Sequence, residues 1–315
     1  VLFATLNIFK GMERSMRLAL LACVVLFRTA MTLHAEIPFS ADEIQKWRAT
    51  REERLRAENG WLTLTGRYPL KEGANRFGVG TSNDIVFPSE LGEIGPDTLG
   101  TIDVNHQRKR VTLNLVDGIT MTSGAKSFTG ERVMGTATDK RDWVGLGRMS
   151  MHVIGREGKY VLRLADNESA RRKNFKGCVW YPTDETFQVK ATFVAFEEEK
   201  TLSIVNIIDE VSEQKCPGYA EFQLLGERHR LDAIKDGDGL FFVFRDSTAG
   251  DTTHPPGRFL DVERQPGSNE SFILDFNKAY NPPCAFSEYT TCPLPPKQNI
   301  LKLRIEAGEK YQRPE

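Results

Sequence analysis

Ala220–Phe244 reads AEFQLLGERHRLDAIKDGDGLFFVF. Three runs of strand-forming residues, Ala220–Leu225, His229–Ile234 and Leu240–Phe244, stand here with little between them. Lys235-Asp236-Gly237-Asp238-Gly239 is a connection of hairpin type. Working outward, similar short runs recur at Val111–Val116, Ser150–Ile154, Tyr160–Leu164, Phe187–Phe196, Leu202–Ile208, Phe272–Phe276 and Ile300–Ile305, with Gly, Asn and Asp in the gaps. Strands of this length and spacing predict a mostly β fold: sandwich or barrel-like antiparallel sheets. After residue 60 no amphipathic helix of three turns is expected, and no internal repeat is visible. A single N-terminal helix is. Ser40-Ala41-Asp42-Glu43 is a capping box, and helix-favouring residues run to Glu58 before Asn59-Gly60 stops them. So charged a helix should pack by its Ile44/Trp47 edge alone. Trp61-Leu62-Thr63-Leu64-Thr65, ended by Gly66, is the first expected strand.

Residues 1–35 have a different character. Met16-Arg17 precedes the ten-residue apolar run Leu18–Phe27, Arg28 closes it, and small residues lead to a cut after Ala35. Ten residues make about 15 Å of helix, about half a bilayer core, so a secretory leader is expected rather than a stable membrane span. Export to the periplasm or the medium follows, with lipid anchoring through Cys23 as the lesser alternative. The expected organisation is a leader at 1–35, the helix at 36–60, an N-terminal β half at 61–165, and a C-terminal β half at 166–315 with a Pro/Cys-rich loop. The leader takes Lys10, Arg14, Arg17, Arg28 and Glu13 from totals of 42 basic and 43 acidic residues, which leaves the remainder at −4. No basic stripe marks a nucleic-acid partner. A small molecule, a glycan or another protein is the expected partner, and the oligomeric state is left open. The remaining cysteines, Cys178, Cys216, Cys284 and Cys292, contain no CxxC pair. His106, His152, His229 and His254 form no HExxH. No metal or cofactor is expected.

The chemistry concentrates in Leu240–Tyr311. Asn277–Asn299 carries five prolines and no regular pattern, too apolar for simple disorder. Charged residues sit in or beside apolar strands: Arg245-Asp246 after FFVF, Arg258 before Phe259-Leu260, and Asp275 inside FILDF. A buried charge needs a partner. One reading pairs Arg258 and Arg245 with Asp275 and Asp246 as structural ion pairs. The other makes a polar pocket for a small anionic or glycan-type ligand from Arg245, Asp246, Arg258, Asp275, Asn277, Tyr280 and Asn281, with hydrolysis as a further option. Cys284 and Cys292 admit three states: a disulfide clasp, two structural thiols, or a Cys284 nucleophile with His254 as its base and an Asp orienting that base.

Gly60-Trp61-Leu62-Thr63-Leu64, Trp180-Tyr181-Pro182, Gly257-Arg258-Phe259-Leu260, Asp275-Phe276-Asn277-Lys278-Ala279-Tyr280-Asn281-Pro282-Pro283-Cys284-Ala285-Phe286, Thr291-Cys292-Pro293-Leu294-Pro295-Pro296 and Ala307-Gly308-Glu309-Lys310 resemble a family catalogued as domain of unknown function sixteen-eighty-four. The resemblance runs from about Trp47 to Tyr311 and implies no reaction. It departs from the family's pattern at His254, where relatives carry an aromatic residue, and at Tyr68-Pro69.

Overall fold

The Ser40 half of the capping box forms as the sequence predicts. Helix α1 spans Ala41–Arg56, and the Ser40 hydroxyl accepts the Glu43 amide at 3.2 Å. The described residues are 38–91, 94–137, 140–156 and 158–312, and Ser40–Glu315 is one compact unit. The leader expected over 1–35, Cys23 included, lies outside them. The face that α1 buries corrects the expectation of a narrow Ile44/Trp47 edge. Ile44, Arg48, Arg51 and Leu55 are the buried residues. Two arginines can be inside because aromatic faces receive their guanidinium groups: Arg48 lies 4.8 Å from the Trp180 ring and Arg51 4.4 Å from that of Tyr280. The helix also ends two residues short of Glu58.

Trp61–Thr63 is a 3₁₀ turn, closed by Thr63 bonding back to Gly60 through both its amide and its hydroxyl. The expected strand at Trp61 therefore begins only at Leu64, and it continues through Gly66 instead of ending there. A Cβ at Gly66 would lie 2.5 Å from the Tyr68 ring, so the residue allows a close approach and does not stop the strand.

Among the described residues seventeen strands follow in chain order. The N-terminal eleven are β1 (Leu64–Leu70), β2 (Gly73–Gly78), β3 (Ile85–Val86), β4 (Gly100–Asn105), β5 (Arg110–Leu115), β6 (Met121–Ser123), β7 (Lys126–Phe128), β8 (Glu131–Met134), β9 (Val144–Leu146), β10 (Met149–Arg156) and β11 (Lys159–Asp166). A short helix α2 (Ala170–Asn174), capped by Ser169, leads to β12 (Gln188–Val205), β13 (Val211–Leu224), β14 (Glu227–Asp236), β15 (Gly239–Phe244), β16 (Arg258–Val262) and β17 (Ser271–Asp275). They form a six-stranded sheet β1-β11-β10-β9-β6-β7, a five-stranded sheet β3-β2-β4-β5-β8, and a second six-stranded sheet β16-β15-β14-β13-β12-β17. All pairings are antiparallel except β2 with β3.

The first two sheets share one core. Phe77, Ile102 and Leu113 from one pack with Met151, Leu162 and Leu164 from the other, as in a β-sandwich. The third sheet is a half-barrel around Phe276, Ala279, Leu301, Ile305 and Ala307 of the C-terminal segment. Its strand β15 explains the continuous run LFFVF. Phe242 and Phe244 enter that core, while Phe241 and Val243 pack on the opposite face with Ile204, Ile234 and Cys292. A strand buried on both sides has no polar alternation to show.

The runs Phe187–Phe196 and Leu202–Ile208 belong to one long strand, β12, whose register with β13 shifts between Ala195 and Lys200. Ile300–Ile305 is not a strand. Its backbone is shared between main chain and side chains: Ile300 bridges to Arg245, the Leu303 carbonyl accepts the Ser247 amide, the Ile305 amide donates to Asp246, and the Ile305 carbonyl accepts from Arg258.

Candidate functional site

The residues singled out in the C-terminal quarter fall into three separate groups. The first is centred on Arg258 at the head of β16. Gly257 before it has φ +124°, and a Cβ there would meet the Phe244 carbonyl at 2.4 Å, so only glycine brings Arg258 so close to β15. The Arg258 side chain is fully buried. It donates to the Ala307 and Ile305 carbonyls and, at 3.2 Å, to Asp246, while its Nε has no partner. Burial works against its charge and Asp246 works for it. Asp246 also accepts from the Thr248 amide and hydroxyl and from the Ile305 amide. Arg258 thus pairs with Asp246 and not with Asp275. Arg245 faces solvent and donates to the Pro255 carbonyl.

The second group is Asp275 and Asn277. Asp275 caps the turn Phe276–Lys278 through the Asn277 amide, and Asn277 exchanges two bonds with the Asp184 backbone. The third is Tyr280 and Asn281. Asn281 bonds twice to Glu309, and Glu309 takes Arg51 of α1 at 2.8 Å. Tyr280 lies under the Arg51 guanidinium and donates its hydroxyl to Asp261 at 2.8 Å. Its own ionisation is pushed well up, by burial first and Asp261 next. Arg51 and Glu309 went unread as a pair because 258 positions separate them.

A cavity of about 600 Å³ opens elsewhere, between the outer face of the first sheet, the β12–β13 turn and the Pro/Cys-rich loop. Alternation builds its wall. In β11, Tyr160, Leu162 and Leu164 enter the core, while Lys159, Val161 and Arg163 line the cavity. Strand register then sets Arg67 of β1 and His152 of β10 on either side of Arg163. The next rows pair Val161 with Ile154 and Lys159 with Arg156. Basic, apolar and basic rows follow one another. Across the cavity stand Ile204, Val211, Ile234 and Phe241, with Asp209 and Glu210 at the turn.

The basic row is under-neutralised among the described residues. Arg163 Nε and His152 Nδ1 are buried without hydrogen-bond partners, and Arg67 meets Glu210 at 3.6 Å. Arg163 is pushed down to about 10 by burial first, then by the charges of Arg67, Arg141 and Arg156. His152, packed 4.1 Å from Trp143, is pushed down to about 3 by burial, then by Arg141 and Arg163. The row is invisible in the sequence as a site, since its members meet only through the register of three strands.

Behind the loop wall lie the two cysteines. Thr291 and Pro293 line the cavity and Cys292 between them is buried. Both thiols are free, and the Cys284 amide donates to Cys292 Sγ at 3.0 Å. His254 Nε2 lies 3.4 Å from Cys284 Sγ. Among the described residues, no three His, Cys, Asp or Glu side chains are placed to hold a metal, and no helix is long and apolar enough to cross a membrane.

Residues 173–310 match a family model described as "Protein of unknown function". No curated protein matches the chain. Among solved structures it is similar to the solution NMR structure of an uncharacterized protein of Haloarcula marismortui, at 31% identity over 44% of this chain and 78% of that one, with a TM-score of 0.38.

Proposed function

The chain belongs to the protein family of unknown function DUF1684, and since membership supplies no reaction, we propose from the cavity that it binds a small amphiphilic anion. The observation that carries this reading is the row Arg67–Arg163–His152. Arg67 and Arg163, like charges set directly opposite on neighbouring strands, destabilise each other, and burial adds to the cost. A carboxylate or phosphate head among them would take the free Arg163 Nε and offset that cost. Its apolar body would lie on Val161 and Ile154, opposite Ile204, Ile234 and Phe241. The leader-like segment before Ala35 supports placing this binding outside the cytoplasm.

Thermal unfolding with added ligand tests it. Octyl phosphate should raise the midpoint, by the equivalent of about 2.7 kcal/mol at one hundred times its Kd. Inorganic phosphate should act more weakly and octanol not at all. Arg163→Gln should abolish the gain, while the unliganded variant melts at or above the parent temperature, because a like-charge contact has gone. No shift with octyl phosphate, or an equal shift in Arg163→Gln, refutes the reading.

The cluster around Arg258 favours a structural role for those charges, as in a non-catalytic envelope or interaction module. The observation behind it is that the Arg258 side chain exposes nothing to solvent.

A further inference from the structure

We propose that Cys284, Cys292 and His254 form a hydroperoxide-reducing dithiol site, with Cys284 as the attacking sulfur and Cys292 as the sulfur that resolves it. Three side chains meet here, two from one loop and the third from the turn before β16. His254 follows the Thr248–Thr253 turn, Cys284 is the middle residue of the 3₁₀ turn Pro283–Ala285, and Cys292 comes from the far side of the same loop. His254 is buried against Tyr311, with ring centroids 4.6 Å apart, and its Nε2 contacts Cys284 Sγ at 3.4 Å. Its Nδ1 is buried with no partner, so the ring's one polar contact is with the thiol. Cys284 keeps part of its surface exposed, while Cys292 is sealed. The two sulfurs differ accordingly. Cys284 is held toward the thiolate by the hydrogen bond from Cys292 and then by His254, against its own burial. Cys292 is held as the thiol by burial and by its neighbour. A partly exposed thiolate beside a sealed, protonated thiol is the division of labour that attack and resolution require.

The chemistry balances. His254 takes the Cys284 proton. The thiolate attacks the terminal oxygen of a hydroperoxide, an S–O bond forms as the O–O bond breaks, and the departing alkoxide takes the proton from His254 to leave as an alcohol. Sulfur has lost two electrons and the peroxide has gained them. The Cys292 sulfur then attacks the sulfenic acid on Cys284. The S–S bond forms, the S–O bond breaks, and hydroxide leaves with the Cys292 proton as water. A dithiol reductant restores the pair.

The experiment uses the reduced full chain, titrated with cumene hydroperoxide and followed by peptide mapping and dimedone trapping. One equivalent should consume two thiols and link Cys284 to Cys292, leaving Cys178 and Cys216 free. Cys292→Ser should stop at a dimedone-reactive Cys284. His254→Phe should slow the first step about tenfold at pH 7 and have little effect at pH 9, where the thiolate forms unaided. A structural histidine would give no such pH dependence. The proposal fails if Cys284 reacts no faster than free cysteine, or if His254→Phe slows the reaction equally at both pH values. It also fails if the isolated protein carries a Cys284–Cys292 bond that dithiothreitol does not reduce, since the pair would then be a clasp.

Discussion

Glu309 is 1% exposed and uses both carboxylate oxygens inside the protein. One takes Arg51 and the Asn281 amide, and the other takes the Asn281 side chain. Replacing it by its neutral isostere Glu309→Gln would strand the Arg51 guanidinium between aromatic rings. Breaking one side of such a buried pair costs about 3–5 kcal/mol, which urea titration of the variant should show as a lowered midpoint with an unchanged slope. The exposed pair of Arg304 with Glu306 offers the contrast, where Glu306→Gln should leave the urea midpoint where it is. The sequence pointed to Tyr280 and Asn281 because they lie in a proline-rich loop of unusual composition. It could not point to Arg51, which sits in a helix so charged that every arginine looks solvated. Its burial and its bonds to Glu309 and to the Asn281 carbonyl distinguish it from Arg54 and Arg56.

Strand β10 carries its own pH response. His152 titrates near 3 in the folded protein and at 6.5 as a free side chain. Below pH 6.5 the unfolded chain therefore binds a proton that the folded chain refuses, and stability falls as the pH falls toward 3. At pH 5 the loss is about 2 kcal/mol relative to pH 7. Above pH 6.5 the group contributes nothing. His152→Asn should flatten this acid limb in urea titrations at the two pH values. An anion beside Arg163 would favour the imidazolium, so octyl phosphate should bind more tightly at pH 5 than at pH 7. The same strands show what was legible. Alternation placed β10, β11 and β14 within a few residues, because one face of each must be apolar, but it caught only the end of β13, from Ala220. It misplaced Ile300–Ile305, whose apolar spacing is that of a strand but which gives the amide and carbonyl of Ile305 to the side chains of Asp246 and Arg258. It also misread Trp61, since a 3₁₀ turn leaves no period to detect.

Across the whole molecule the two cores are held together by contacts that cross between the halves. Arg51 joins α1 to Glu309 and Asn281, and the Leu62 and Leu64 carbonyls receive Ser169, Arg171 and Ser287. Neither half can open without breaking these. Tryptophan fluorescence and far-ultraviolet circular dichroism should accordingly trace one coincident unfolding transition for Ser40–Glu315. Two separated transitions would mean that the cores are energetically independent. The β11 wall has a consequence for how such a chain can change over generations. Because Tyr160, Leu162 and Leu164 fill the core while Lys159, Val161 and Arg163 face the cavity, a single inserted or deleted residue would exchange the two sets and turn arginine inward. The reading frame of that strand is locked by its own interior. Lineages can vary what the cavity accepts only by substitution in place, one alternate position at a time, and the lengths of β10 and β11 should outlast the identity of any residue that lines them.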